Sequence, residues 1–314
     1  MTGRAAEILV IKHGALGDFL LSMGPFAAIR GHHGQARITL LTTAPYVEMA
    51  ARCGHFDRVW RDPRATAWKL PAWLALRRRL RASGFGRVYD LQTSRRSRAY
   101  YRYFKPPRPE WSGNAAGCSH PHANPRRDAM HTVERQTEQL AMAGIDSVGE
   151  ADLSWLDGDI SEFAPGEQAY VLLVAGGSAH RPEKRWPARA YGELAAELHA
   201  AGYRPLLIGA AAERDVLAAI NARCPEALNL CGRTDFGQIA ALARRAVAAV
   251  GNDTGPMHIV ASVGCAATVL FSAASDPALT APRGPRVRIL QYPRLADLPV
   301  GEVRADLPLG RPIS

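Results

Sequence analysis

The stretch EILVIKHGALGDFLLSMGPFAAIR, residues 7–30, decides the fold. It opens on a near-continuous apolar run too short for a helix, breaks at Gly14 and Gly17, and resumes as an apolar-rich helical pattern. Gly31 and Gly34 lie past the helix end. A strand buried on both faces, a glycine turn and a helix are the opening of a parallel βα unit. Asp18 falls where the turn meets the helix.

The alternation continues outward. ARITLLTT (36–43) reads as a strand, YVEMAARCG (46–54) as a short helix, and RVW (58–60) as a strand. An amphipathic PAWLALRRRLRASGFG (71–86), RVYDLQTS (87–94) and a helical RQTEQLAMAGI (135–145) follow. WLDGDISEFAPGEQ (155–168) is polar and acidic and reads as a linker. The pattern then restarts with the strand YVLLVAGG (170–177) and runs through GNDTGPMHIVASVGCAATVLF (251–271). No repeat of about 20–50 residues marks a solenoid. The expectation is an α/β chain with two Rossmann-like, doubly wound domains, residues 1–160 and 161–314, facing a central cleft. The Pro-containing tail after about residue 291 reads as a loose segment that crosses back to the first domain.

At 314 residues the chain can bury two cores. No run approaches the roughly 18 apolar residues of a membrane span, and the N-terminus lacks the pattern of a signal peptide. Five scattered cysteines without a CxxC pair fit a reducing compartment rather than a disulfide framework or zinc ribbon. The expected location is the cytoplasm. The net charge of +10 concentrates between Arg77 and Arg108, which points to an anionic partner. Nucleic acid, an anionic membrane surface and a phosphorylated acceptor compete for that role. Tyr100, Tyr101, Tyr103 and Phe104 resemble a stacking platform, but no helix-turn-helix, RNP-like motif or zinc finger accompanies them.

Ligands of open parallel sheets sit at the carboxyl ends of the strands, and three motifs fall there. GNDTGPMH (251–258) offers a helix start where a phosphate can meet backbone N–H groups, with Asp253 or Thr254 as cap, Gly255 for close approach and His258 one turn further in. GGSAHRPEKRWP (176–187) brings Lys184 with Arg181 and Arg185 to a similar turn. HGALGD (13–18) is not GxGxxG, which counts against a nicotinamide-dependent oxidoreductase. It leaves Asp18 as either a helix cap or a general base. LDGDI (156–160) reads as a turn rather than a metal-holding Asp-x-Asp, and Cys118, His120 and His122 lack a fourth ligand. No metal is expected.

ILVIKHGALGDFLLSMGPFAAIR, GGSAHRPEKRWP and GNDTGPMHIVASVG, in this order, resemble glycosyltransferase family 9, the ADP-heptose:lipopolysaccharide heptosyltransferases. The resemblance extends over nearly the whole chain. It implies a GT-B fold, with acceptor on the N-terminal domain and nucleotide-sugar on the C-terminal one. It implies an inverting, metal-independent transfer with an ADP-sugar as co-substrate and no cofactor. On this resemblance Asp18 matches the catalytic base and Lys184 the lysine on the donor phosphates. Asp253, Thr254, Gly255 and His258 match the donor-sugar and pyrophosphate turn, Glu213 the ribose-binding acid, and Thr234 the adenine-contacting loop. Arg95, Arg96, Arg98 and Arg102 are then candidates for an anionic lipopolysaccharide-core acceptor at the inner membrane face, with no part for nucleic acid. Close alternatives are a protein or other glycan acceptor, or another nucleotide sugar. A non-catalytic binder is the reading from a different class.

Overall fold

The computed structural model describes residues 6–64, 70–163, 168–177 and 180–309. The chain divides into two compact units, Met1–Asp152 and Leu153–Ser314. Each carries a six-stranded, wholly parallel sheet.

In the first unit the strands run in the order β3-β2-β1-β4-β5-β6. They are β1 (Glu7–Ile11), β2 (Arg37–Thr42), β3 (Arg58–Arg61), β4 (Arg87–Asp90), β5 (Glu110–Gly113) and β6 (His120–Pro121). The order reverses between β1 and β4, where ligands of such sheets gather. Ile11 of β1 pairs with Asp90 of β4, so the two chain ends emerge side by side. Leu9, Ile11, Leu80, Tyr100 and Trp111 form part of one core beneath them.

The helix expected after β1 is two helices, α1 (Leu16–Leu20) and α2 (Met23–His32). The Ser22 hydroxyl donates to the Asp18 carbonyl at 2.7 Å. Such back-bonding to residue i−4 bends a helix, which accounts for the break. The helices α3 (Val47–Arg52), α4 (Leu70–Ala82), α5 (Arg95–Ala99) and α6 (Thr132–Ala141) complete the unit. A reciprocal Ser94–Ser97 capping box starts α5. Neither α5 nor the short β5 and β6 stands out in the hydrophobic pattern.

The second unit repeats the plan in the order β12-β11-β10-β7-β8-β9. Its strands are β7 (Tyr170–Val174), β8 (Arg204–Leu207), β9 (Leu228–Asn229), β10 (Ala248–Asn252), β11 (Ala267–Ser272) and β12 (Val287–Tyr292). They alternate with α7 (Ala188–Ala200), α8 (Arg214–Asn221), α9 (Phe236–Arg245), α10 (Gly255–Ser262), α11 (Pro277–Thr280) and α12 (Val300–Asp306). The switch lies between β7 and β10.

Two segments are better ordered than their composition suggests. Residues 153–163, which take in residues 155–163 of the expected linker, are strapped onto α9. Arg244 donates to the Leu153 and Leu156 carbonyls, both at 2.7 Å, while Leu153, Leu156, Ile160 and Phe163 are buried. The tail after residue 291 is likewise held within the second unit. Leu295, Leu298, Val303 and Leu307 join its core, and the Trp186 indole donates to the Leu298 carbonyl at 3.0 Å. Among the described residues no helix is long and apolar enough to cross a membrane.

Candidate active site

In the second unit the site is organised by a residue that sequence reading passed over. Asn252, the fully buried last residue of β10, spends its whole amide on neighbouring loops. Its Nδ2 donates to the Ala175 and Gly176 carbonyls at 3.0 and 2.9 Å. Its Oδ1 accepts from the Trp186 amide at 2.9 Å and the Tyr191 hydroxyl at 3.1 Å. The loop after β7 and the turn after β10 are thereby fixed to each other.

That clamp brings Lys184 and Asp253 together, with Nζ 2.8 Å from Oδ2 and both side chains mostly shielded. Thr254 occupies the N-cap of α10 in extended conformation, but its hydroxyl makes no capping bond. Gly255 opens the helix, Pro256 suits its first turn, and His258 is buried one turn in. The start of α10 therefore offers backbone N–H groups and the positive end of a helix dipole next to a lysine, an arrangement suited to phosphate.

Glu213 closes the 3-10 turn that follows β8, at the N-cap of α8. Its Oε1 accepts from the Gly177 amide at 2.6 Å and its Oε2 from the Ala210 amide at 2.8 Å. Gly176 leaves room for this carboxylate: a Cβ there would run into it and make it shift. Both carboxylate oxygens retain lone pairs for a further donor. Thr234 sits half-buried in the turn before α9, and Gly232 just before it donates to the Gly209 carbonyl at 2.7 Å. Residues 178 and 179, between the glycines and Lys184, lie outside the described residues.

The first unit is built differently. Asp18 is half-buried in the first turn of α1, and among the described residues its carboxylate has no hydrogen-bond or ion-pair partner. Its charged neighbours are Lys12 and Arg135. Lys12 is fully buried, and its ammonium makes one long contact, 3.4 Å to the Leu91 carbonyl. Burial pushes it down to about 8, against the attraction of Asp18. On the adjacent strand end, burial pushes the Asp90 carboxyl up to about 7. Asp90 Oδ1 accepts from the Thr93 amide at 2.9 Å, beside a Thr93 backbone at φ 44°, while Oδ2 makes no close hydrogen bond among the described residues.

The four candidate arginines do not act alike. Arg95, Arg98 and Arg102 are exposed, lack partners among the described residues, and line a depression of about 370 Å³ with Asn114 and Tyr101. Arg96 instead turns inward, donating to Asp62 at 2.8 Å and to the Tyr100 hydroxyl at 2.7 Å. Asp62 also faces the His13 ring at 3.0 Å and accepts from Tyr100. Burial alone would raise the Asp62 carboxyl, but His13, Tyr100 and the Arg64 amide hold it below its ordinary range. Arg96 is thus a strut between α5 and the loop after β3.

A profile of one known family matches residues 73–300: glycosyltransferase family 9 (heptosyltransferase). The chain belongs to this family. Family 9 membership makes it a glycosyltransferase. It is similar to lipopolysaccharide heptosyltransferase 2 of Escherichia coli K12, 27% identical over 91% of this chain and 88% of that one. In architecture it resembles a family 9 glycosyltransferase of Veillonella parvula, with TM-score 0.82, 18% identity and coverage of 98% and 97%. It also resembles the E. coli heptosyltransferase WaaC solved with ADP, with TM-score 0.73, 19% identity and coverage of 95% and 98%. The shared architecture is that of GT-B enzymes.

For this family 9 enzyme, sequence reading also missed residues near Asp18. Arg61 and Arg64 line a second cavity of about 350 Å³ together with Ala15 and Tyr46. Gly14, at φ 109°, lets the Asp18 turn lie against that tyrosine, whose ring a Cβ would strike. Arg127 donates to Thr93 Oγ1 at 3.0 Å. Only the order reversal at β1 and β4 identifies these loops as neighbours; the residues carry no motif of their own. Among the described residues no three His, Cys, Asp or Glu side chains gather as metal ligands.

Proposed function

We propose that this enzyme transfers a heptose from ADP-heptose, with inversion and without a metal, to an anionic lipopolysaccharide-core acceptor. The acceptor is a Kdo- or heptose-bearing lipid A at the inner membrane face. The observation that carries the reading is the Lys184–Asp253 pair held against the start of α10. It forms a diphosphate cradle whose positive charge comes from the chain itself. The ADP in the WaaC structure supports the choice of nucleotide.

In this reading the first unit binds the acceptor and the second the donor. The acceptor hydroxyl attacks the anomeric carbon from the face opposite the diphosphate. The new C–O bond forms as the bond to phosphate oxygen breaks, and ADP leaves with the electron pair. Asp18 takes the hydroxyl proton as the bond forms. Lys184, the Thr254 and Gly255 amides and His258 stabilise the charge growing on ADP, commonly the largest single catalytic term. Glu213 and Thr234 hold the nucleoside. Arg95, Arg98 and Arg102, with Arg61 and Arg64, hold the acceptor's acidic groups.

Calorimetric titration of ADP, UDP and GDP in the presence of EDTA tests the donor half. ADP-selective binding that survives chelation is expected. A preference for UDP or GDP moves the donor to another sugar, and loss of ADP binding on chelation removes metal independence.

A further inference from the structure

A one-sidedly charged stretch of the chain runs through the acceptor depression and beyond it. Residues 70–109 hold eleven arginines and lysines against a single acid, Asp90, which is buried. At one edge of this region runs α4, LPAWLALRRRLRA, with no acidic residue. Leu76 and Leu80, four apart, are its buried residues. On helical geometry Leu70, Leu74, Arg78 and Arg81 project away from that face.

The helix is also graded along its length. Its first turns present apolar groups: Leu70 is 55% exposed, one of two large exposed hydrophobics among the described residues. Its last turns present Arg77, Arg78 and Arg81. The outward arginines Arg78 and Arg81 have no hydrogen-bond or ion-pair partner among the described residues. About 12 Å of helix rise separates Leu70 from Arg78. That span lets an apolar tip enter the acyl boundary of a bilayer while the guanidinium groups stay at phosphate level.

Aromatic contacts hold the helix in place. The Trp73 indole donates to the Tyr103 hydroxyl at 3.1 Å, and the Arg77 guanidinium lies 5.7 Å from the Trp73 ring. Arg79 stacks on Trp60 at 3.7 Å. The outward face is therefore presented on a fixed support, and Arg102, in the acceptor depression, belongs to the turn Tyr100–Tyr103 against which α4 packs.

We infer that α4 is the surface by which this enzyme sits on an anionic phospholipid bilayer, with Leu70 inserted and Arg78 and Arg81 on lipid phosphates. The inference deepens the reading of a lipid-anchored acceptor and rests on it for its biological sense. A nucleic acid would use the same charges but has no need of the exposed leucine.

The test is co-sedimentation of the full chain with vesicles of phosphatidylcholine alone or containing phosphatidylglycerol, with no acceptor present. Binding to the anionic vesicles only, weakened by added salt, is expected. Leu70→Glu should weaken it several-fold and Arg78→Glu/Arg81→Glu at least about tenfold. ADP affinity should be unchanged in both variants, which reports that they remain folded. Equal binding to neutral vesicles, undiminished binding by the variants, binding that appears only when lipopolysaccharide precursor is added, or displacement of the vesicles by duplex DNA would each overturn the inference. Transfer to a delipidated acceptor, measured separately, reports on the proposed reaction whatever the vesicles do.

Discussion

The two units share one strand order but treat charge in opposite ways. In the second unit the polar groups of the site are already satisfied by one another. Lys184 meets Asp253, Glu213 takes two backbone amides, and Asn252 spends both ends of its amide. In the first unit, among the described residues, Asp18 and three of the four candidate arginines have no hydrogen-bond or ion-pair partner, and Lys12 and Asp90 are buried and only partly satisfied. A preformed cradle suits an invariant ligand such as a nucleoside diphosphate. Open charges suit an acceptor that brings its own acidic groups, and a base that must be free when the substrate arrives.

The contrast breaks most sharply at Asp18. Asp18→Asn should lower kcat by roughly a thousandfold, within the usual range for a general base. Thermal midpoint should shift little and ADP affinity should stay unchanged, because among the described residues the carboxylate makes no hydrogen bond or ion pair, and its support to the buried Lys12 is a longer-range attraction. A large loss of stability would make Asp18 structural instead.

Asn252→Ala should act on the other side of the comparison. It strands two carbonyls, an amide and a hydroxyl in a buried site, at a cost of roughly 2–4 kcal/mol in urea unfolding. ADP binding should weaken with it as the two loops separate. Unchanged stability would mean that the loops are held by other contacts.

Lys184→Ala should reduce ADP affinity by about ten- to a hundredfold in calorimetry, since on the proposed reading it removes the cation facing the diphosphate, and it leaves Asp253 without this partner. Acceptor KM should barely move. In the first unit, Arg98→Ala/Arg102→Ala should raise acceptor KM by about three- to tenfold with ADP affinity intact, the size expected for exposed charges. If donor affinity falls instead, the division of labour between the units fails.

The smallest effect separates buried charge from open charge. Asp90, pushed up to about 7, keeps its proton in the folded chain at pH values where the unfolded chain has released it. Stability therefore falls as pH rises from 3.8 towards 7. Between pH ~6 and ~7 the fall is about 1 kcal/mol, and Asp90→Asn should flatten it. An unchanged slope in urea unfolding would locate the titrating group elsewhere.

The sequence made legible what is local. Short apolar runs, glycine turns and helix starts located most of the long strands, and the motif residues fall in the segments that leave the carboxyl ends of β1, β7 and β10. What it hid depends on distant parts of the chain meeting. Arg96 is indistinguishable from Arg95 and Arg98 until Asp62, 34 positions earlier, is seen beneath it. Asn252 sits inside a motif that was quoted whole, yet its partners lie 61 to 77 positions away. The segment 153–163 looks like a linker by composition because its four buried apolar side chains are spaced by polar ones.

The C-terminal packing onto Trp186 also bears on the order in which the protein can assemble as it is made. The first unit's sheet and core are complete once residue 152 has emerged from the ribosome. The second cannot close its core until residues 295–307 arrive, more than 100 positions after the tryptophan they cover. At about 5–20 residues per second that is a wait of roughly 5–20 s with apolar surface exposed. The nascent second unit, rather than the first, is the one that carries an incomplete core through that wait.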